Sequence, residues 1–439
     1  MAATLDRFSR LAALKPTRAF PTRPSELRAP DQEDHLSRIL GAGITSNRFG
    51  EHVAVRNWCS TPEFAEPSPV ALDLLARHRD EAVSHRTRAA LADPAKWLFL
   101  DTETTGLAGG TGTYAFLVGL AWWDAGGLHL EQLLMRDFAE EHSVLHEVAQ
   151  RAAERPVLIT FNGKTFDWPL LENRFAMTRS IPVPRLAAHL DLLHPARSLW
   201  KLRLGSVRLV DLERHVLDPT RLGWTRDDDV ASSLIPQFYF DYLRGGPASP
   251  LAGVVRHNQM DLRGLAALSC KINTMLSESP EGEGLDLFGL SRYLHRRGEP
   301  DRAHSACVQA LNAGLPAEFR PQARRDLAFH AKRRADHARA AVLWQEIAAD
   351  PRDGVHACEQ LAIHYERHVK DYLRALEFAQ LALGNLRKSR ASLKDPFAPA
   401  RFIRLQAKLL KRVVRLQHRI GLSSGVGSQV EFSASQPPI

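Results

Sequence analysis

The sequence predicts an α/β part, a mixed β-sheet flanked by helices, followed by an all-α part of repeated helices. Short unbroken apolar runs such as Trp97–Leu100 and Tyr114–Trp123 read as strands buried on both faces. Three strands in a meander then give way to alternating strands and helices, the order expected of a mixed sheet with helices on both sides. Toward the C-terminus small residues return about every 34 residues, the mark of stacked helix pairs.

The front segment, residues 1–90, is expected to be a partly disordered extension of unknown role. Its first 40 residues mix Arg with Pro, and a short helix is possible near Leu5–Leu14. His52–Trp58 alternates weakly, as a strand would, and Val70–Leu91 has helical spacing. The α/β part is placed at 91–280. Trp97–Leu100 leads into a Gly-rich turn (Gly106, Gly109, Gly110, Gly112), then strands at Tyr114–Trp123 and Leu128–Met135. A helix over Glu140–Ala153, a strand at Val157–Phe161, a helix at Trp168–Ala176 and a strand at Ala187–Leu193 follow, with mostly helix to Leu276.

Residues 284–420 read as helical repeats, and 421–439 as a disordered tail. Ser291, Gly298, Ala303, Cys307 and Ala310 match the small-residue offsets of a tetratricopeptide unit. Ala328, Ala335, Ala340, Trp344 and Ile347 repeat them, as do Ala375, Ala379 and Ala382, although Ile363 and Lys370 fit poorly. The last helix, Ala398–Ile420, carries an apolar stripe of Phe402, Leu405, Leu409, Val413, Leu416 and Ile420. Arg401, Arg404, Lys408, Lys411, Arg412, Arg415 and Arg419 line much of its remaining surface. It caps the repeats with a solvated basic face or meets a nucleic-acid backbone.

At 439 residues, 44% hydrophobic and 25% charged, the chain has the composition of a folded, multi-domain soluble protein. A net charge of +8 leans mildly toward polyanionic partners. Cys59, Cys270, Cys307 and Cys358 are too scattered for a zinc site or a disulfide scaffold, and reduced thiols suit a cytoplasmic protein. The ten-residue run Tyr114–Trp123 is too short to span a bilayer, so no membrane role is expected.

Three short segments carry the chemistry. Asp101-Thr102-Glu103 ends the first buried strand, and residues two apart there face the same way. Two acids so placed are costly unless solvated or neutralised by a cation. Asn162-Gly163-Lys164-Thr165-Phe166-Asp167 leads from a strand into a helix, where Asp167 would serve as N-cap or as metal ligand. His257-Asn258-Gln259-Met260-Asp261 opens a long helix, and its His and Asp share one face as a surface pair or a site pair.

In order the three read D-x-E, N-x-x-x-F-D and H-x-x-x-D. This resembles the three exonuclease motifs of the DEDD, or DnaQ-like, superfamily over about 180 residues, and Phe99–Leu107 is particularly close. With the repeat tail, the chain resembles the YprB-like ribonuclease-H-like domain proteins. Leu190–His194, Ser233–Pro236 and His257-Asn258 with Asp261-Leu262 carry that narrower likeness. The resemblance implies a ribonuclease-H-like fold and a 3′–5′ exonuclease acting on RNA or DNA, with a single-stranded 3′ end as substrate. Asp101, Glu103, Asp167 and Asp261 would hold two divalent ions, Mg²⁺ or Mn²⁺, given oxygen-rich, thiol-free ligation. Thr104, Leu107 and Asn162 would contact the terminal nucleotide, with Asp191 a weaker candidate.

One departure concerns His257. The superfamily has His with four intervening residues or Tyr with three, and this chain has His with three. Its imidazole is expected to accept a proton from the attacking water, or to orient that water. The competing function is an interaction scaffold, a weak or inactive nuclease fold docking nucleic acid or a protein partner through the repeats. A structure-specific endonuclease on the same metals is a third reading. Gly109–Gly112 reads as a tight turn, since it lacks the ending of a P-loop. Asp227-Asp228-Asp229 reads as a solvated or helix-start cluster, and His194 and His215 as structural or exposed.

Overall fold

In the computed structural model the apolar runs become strands of one sheet. The strands are β1 (Gly43–Asn47), β2 (Gly50–Ser60), β3 (Trp97–Thr104), β4 (Ala115–Asp124), β5 (Gly127–Leu134), β6 (Val157–Thr160) and β7 (Ala188–Asp191). The structure describes residues 36–60, 69–76, 84–106, 112–124, 126–218, 223, 226–277, 281–350, 353–389 and 398–423. The possible helix Leu5–Leu14, the glycines 109 and 110, and the tail beyond 423 lie outside the described residues. Among the described residues no helix is long and apolar enough to cross a membrane.

Two compact units divide the chain. The first comprises Met1–Phe64, His85–Asp191 and Leu217–Ala267; the second comprises Ala65–Ser84, Leu192–Val216 and Leu268–Ile439. Each unit thus draws on separated stretches, where the sequence suggests consecutive blocks.

In the first unit the sheet order is β1-β2-β5-β4-β3-β6-β7. β3, β4 and β5 form the expected antiparallel meander, and β6 and β7 extend it in parallel from β3. On the other side, β1 and β2 form a hairpin that adds antiparallel to β5. Part of the front segment is therefore sheet rather than extension. Val53, Ala54 and Val55 are buried in it, a pattern that the weak alternation of His52–Trp58 only hinted at.

β3 is an interior strand, and Trp97, Leu98, Phe99 and Leu100 are buried on both its faces, between β4 and β6. Helices α1 (Glu141–Glu154), α2 (Asp167–Thr178), α3 (Ile235–Leu243) and α4 (Ser249–Met275) flank the sheet. Val144, Leu145, Leu171, Phe175, Tyr239, Leu251 and Val254 join Leu98, Leu100, Phe116 and Val118 in one core. Burial of each such side chain contributes roughly 1.5–3 kcal/mol, which makes the end of β3 a rigid platform. α4 begins eight residues before His257, with Pro250 in its first turn where a missing N–H costs nothing. His257 and Asp261 therefore sit within the helix and do not open it.

The second unit is helical. Its helices include α5 (Gly284–Arg296), α6 (Pro300–Asn312), α7 (Arg320–Arg333), α8 (His337–Ile347), α9 (Gly354–His364), α10 (Tyr372–Ser389) and α11 (Ala398–Ser423). Ala303, Ala310, Ala328, Ala340, Ala357, Ala375 and Ala379 are buried, and side chains this small let neighbouring helices approach closely. Gly298, Ala335 and Lys370 lie in the turns after α5, α7 and α9, and all three have left-handed φ values of 80°, 61° and 61°. Lys370, a poor match by residue type, thus shares a left-handed φ with Gly298, although it follows the wider turn Tyr365–Val369. In α11 the stripe is buried at Phe402, Leu409 and Leu416. The basic face is partly consumed: Arg412 and Arg415 both pair with the buried Glu366, and Lys408 pairs with Glu359.

A left-handed turn strains any residue with a Cβ. Ala335→Gly and Lys370→Gly should each raise stability by about 0.5–1 kcal/mol, relief of strain exceeding the added chain entropy. Urea unfolding measures this, and a loss of stability in both variants would contradict the turn assignment.

Candidate metal centre

The end of β3 brings three distant segments together. Asp101 and Glu103 project from alternate positions of the strand, Asp167 is the first residue of α2, and Asp261 lies one turn beyond His257 on α4. Single ligand atoms of Glu103, His257 and Asp261 all lie within 4.8 Å of one another. Asp101 is close enough to feel the charges of Asp261, Asp167 and Glu103. Asp167 is not an N-cap, since Phe166 holds that position without a side-chain cap. Its Oδ1 instead accepts the Thr102 hydroxyl at 2.5 Å.

Asp101 is held by a device that sequence reading missed. Across the sheet Asp101 pairs with Gly119, and Gly119 with Gln132, so the three form one row. The glycine leaves a gap in the row, and Asn258 of α4 fills it. A Cβ at 119 would lie 2.1 Å from Asn258 Oδ1. Asn258 Nδ2 donates to Asp101 Oδ2 at 2.8 Å, while its Oδ1 accepts from Gln132 Nε2 at 2.8 Å. Gln132 Nε2 also donates to the Val255 carbonyl at 2.8 Å, anchoring the chain to the helix. Both amides are fully buried, so each bond lost would strand a polar group at about 1–3 kcal/mol. Only the cross-strand register reveals this; the sequence shows an Asn next to a His.

Asp229 is the second residue missed. Asp227 and Asp228 are exposed, as expected of the acidic run, but Asp229 turns inward. Its two oxygens lie 2.8 and 2.9 Å from His257 Nδ1. Arg226 joins Asp229 Oδ2 at 3.0 Å to Asp261 Oδ1 at 2.5 Å. His257 Nε2 faces Asp261 Oδ2 at 3.5 Å and Glu103 Oε1 at 4.0 Å. A run of three acids shows no sign of which one is buried.

The remaining candidates fall in different places. Thr104 follows a β-bulge at the tip of β3, and its hydroxyl donates to the Gly106 carbonyl at 3.0 Å. Leu107 lies outside the described residues. Asn162 has a left-handed φ of 68°, and its N–H donates to Asp191 Oδ1 at 2.8 Å. The other oxygen of Asp191 accepts from the Lys164 N–H at 3.1 Å. Asp191 therefore braces the turn that carries Asn162 and leads to Asp167. His194 and His215 belong to the second unit.

Burial above all, then the charges of Asp261, Asp167 and Glu103, push Asp101 well above the usual carboxylate range, against the bond from Asn258. Burial and the charges of Asp261, Asp167 and Asp229 do the same to Glu103. Burial also raises Asp167, opposed by its bond from Thr102. Two like charges at the 4.8 Å limit repel by about 3–4 kcal/mol at an effective dielectric near 20. Asp101 accepts from the neutral Asn258 amide and Asp167 from the neutral Thr102 hydroxyl, while Arg226 pairs with Asp261 and Asp229. Carboxylates so crowded fit a divalent cation held by oxygen ligands.

A folded-state pKa raised above the unfolded value means that the folded chain keeps protons which the unfolded chain has released. Stability of ion-free protein should therefore fall as pH rises above the ordinary carboxylate range. Saturating divalent ion should restore it at pH 7, by about 2.7 kcal/mol at 100 times Kd. Asp101→Asn should flatten the pH slope. Thermal melts in chelator against Mn²⁺ measure this, and identical melting with and without ion would contradict the reading.

A family profile for the RNase_H superfamily matches residues 98–273, the stretch that carries all three acidic segments. The uncharacterized protein YprB of Bacillus subtilis (strain 168) is 30% identical over 325 residues, covering 71% of this chain and 75% of that protein. Among solved structures, the chain is similar to the family B DNA polymerase from the hyperthermophilic archaeon Pyrobaculum calidifontis. That likeness has 16% identity and a TM-score of 0.32, over 46% of this chain and 29% of the polymerase. BtubC (BKLC) from P. vanneervenii gives 17% identity and a TM-score of 0.28, over 56% of this chain and 96% of that protein. Both overlaps are too loose to bear on function. The identity and coverage shared with the Bacillus protein place this chain in the YprB family, with an RNase_H superfamily domain at its centre.

Proposed function

We propose that the first unit is a divalent-metal-dependent nuclease, working as a 3′–5′ exonuclease on single-stranded ends of RNA or DNA. What supports the reading is the cluster of Glu103 and Asp261 with His257, with Asp101 and Asp167 near enough to act on it electrostatically, within an RNase_H superfamily region. Asp101, Glu103, Asp167 and Asp261 would hold two ions, Mg²⁺ or Mn²⁺. When bound, such a pair activates a water for attack on phosphorus and stabilises the leaving 3′ oxygen.

The chain's own residues supply position. Asn258 and Gln132 fix the Asp101 carboxylate, so a cation meets a preset ligand. Asn162, on the turn braced by Asp191, and Thr104 and Leu107 after the first acidic pair would contact the terminal nucleotide. In the step itself a water oxygen bonds to phosphorus and gives up a proton to solvent, the bond from phosphorus to the 3′ oxygen breaks, that oxygen takes up a proton from solvent, and a 5′-mononucleotide leaves. The helical unit, read as tetratricopeptide-like, would dock a protein partner.

The test uses end-labelled single-stranded RNA and DNA with Mg²⁺ or Mn²⁺. Wild-type protein should shorten both labels' strands stepwise from the 3′ end, and Asp101→Ala should lower the rate by more than about 100-fold. Undiminished cleavage by Asp101→Ala would reject the site. Internal cuts in a circular substrate would assign an endonuclease instead, and folded wild-type protein that neither cleaves nor binds metal would favour the scaffold.

A further inference from the structure

His257 stands where the superfamily pattern puts a group that handles the attacking water, yet its surroundings are those of a ligand. A carboxylate can only accept, so the 2.8 and 2.9 Å contacts with Asp229 place a proton on Nδ1. The Nε2 lone pair then points toward Glu103 Oε1 at 4.0 Å and Asp261 Oδ2 at 3.5 Å. Its hydrogen-bond contact among the described residues is Ser232 Oγ, at a long 3.5 Å. An imidazole that gives one nitrogen to a carboxylate and turns the other toward two more acids has the arrangement of a metal-bound histidine.

Three further features agree. His257 and Asp261 are four apart on one helix, the spacing at which helical residues share an ion. Ligands about 2.1 Å from a common ion stand about 3 Å apart, so atoms already within 4.8 Å need to close by an ångström or two. Arg226 occupies Asp261 Oδ1 and leaves Oδ2 on the side of His257, while its second nitrogen steadies Asp229.

We propose that Glu103, His257 and Asp261 form a mixed oxygen–nitrogen site for a transition divalent cation, with Asp229 fixing the imidazole. This rests on the nuclease reading and makes it more specific. One imidazole among carboxylates moves preference from Mg²⁺ toward Mn²⁺. It also removes His257 as general base, because a lone pair donated to a cation cannot take a proton from water. Asp229 is then a positioning residue, acting through His257.

Mn²⁺ provides the probe. Full-length protein at pH 8 is titrated with Mn²⁺ and followed by electron paramagnetic resonance, with pulsed spectra recorded on the bound fraction. Wild-type protein should bind Mn²⁺ and show modulation from a directly coordinated nitrogen. His257→Gln should keep some Mn²⁺ on the carboxylates and lose that modulation. Asp229→Asn should weaken Mn²⁺ binding by about 10–100-fold, with a smaller change for Mg²⁺ measured by competition. Mn²⁺ bound with no nitrogen modulation in the wild type would overturn the His257 assignment and leave the nuclease reading standing. Folded wild-type protein that binds no Mn²⁺ would overturn both. The wild-type spectrum decides the matter even where a variant fails to fold.

Discussion

Crowding of like charge at one point of the sheet governs the rest of the molecule. Asp101, Glu103, Asp167 and Asp261 come from three separated segments; burial and the charges of the others hold Asp101 and Glu103 well above the ordinary carboxylate range, and burial raises Asp167. Only a rigid frame can keep them there. β3 supplies it, with Trp97, Leu98, Phe99 and Leu100 locked into a core on both faces and strands bonded along both edges.

Around that point the frame is arranged to fix orientation as well as position. Gly119 gives up its side chain so that Asn258 can reach across the sheet, tying Asp101 to Gln132. Asp229 and Arg226 do similar work on the other flank, where they hold His257 and Asp261. Asp191 uses both oxygens to brace the turn leading to Asp167. Asn258, Gln132, Asp229, Arg226 and Asp191 therefore hold in place a set of carboxylates that would otherwise repel one another.

The sequence made the acids legible because strand alternation and helical spacing are local rules. Asp101 and Glu103 had to share a side, and His257 and Asp261 had to share a helix face. The supporting residues were not legible, since Gly119, Gln132 and Asn258 meet only through strand register and helix docking. Asp229 hid in a run of three acids, of which the other two are exposed. Of the hairpin β1–β2 only the second strand was legible, as the alternation of His52–Trp58. Its alternation is weak, and its pairing with β5, which brings Val53–Val55 into the core, is a long-range contact that local pattern cannot foresee. In the helical unit Lys370 looked foreign to the repeat by residue type, yet its backbone takes a left-handed φ like that of Gly298.

The central claim is that these acids are gathered to hold cations. Anomalous diffraction from crystals soaked in Mn²⁺ tests it most directly. The account predicts strong peaks bounded by Asp101, Glu103, Asp167 and Asp261, with one of them beside His257 Nε2. An empty centre at saturating Mn²⁺, in crystals that retain this fold, would contradict it.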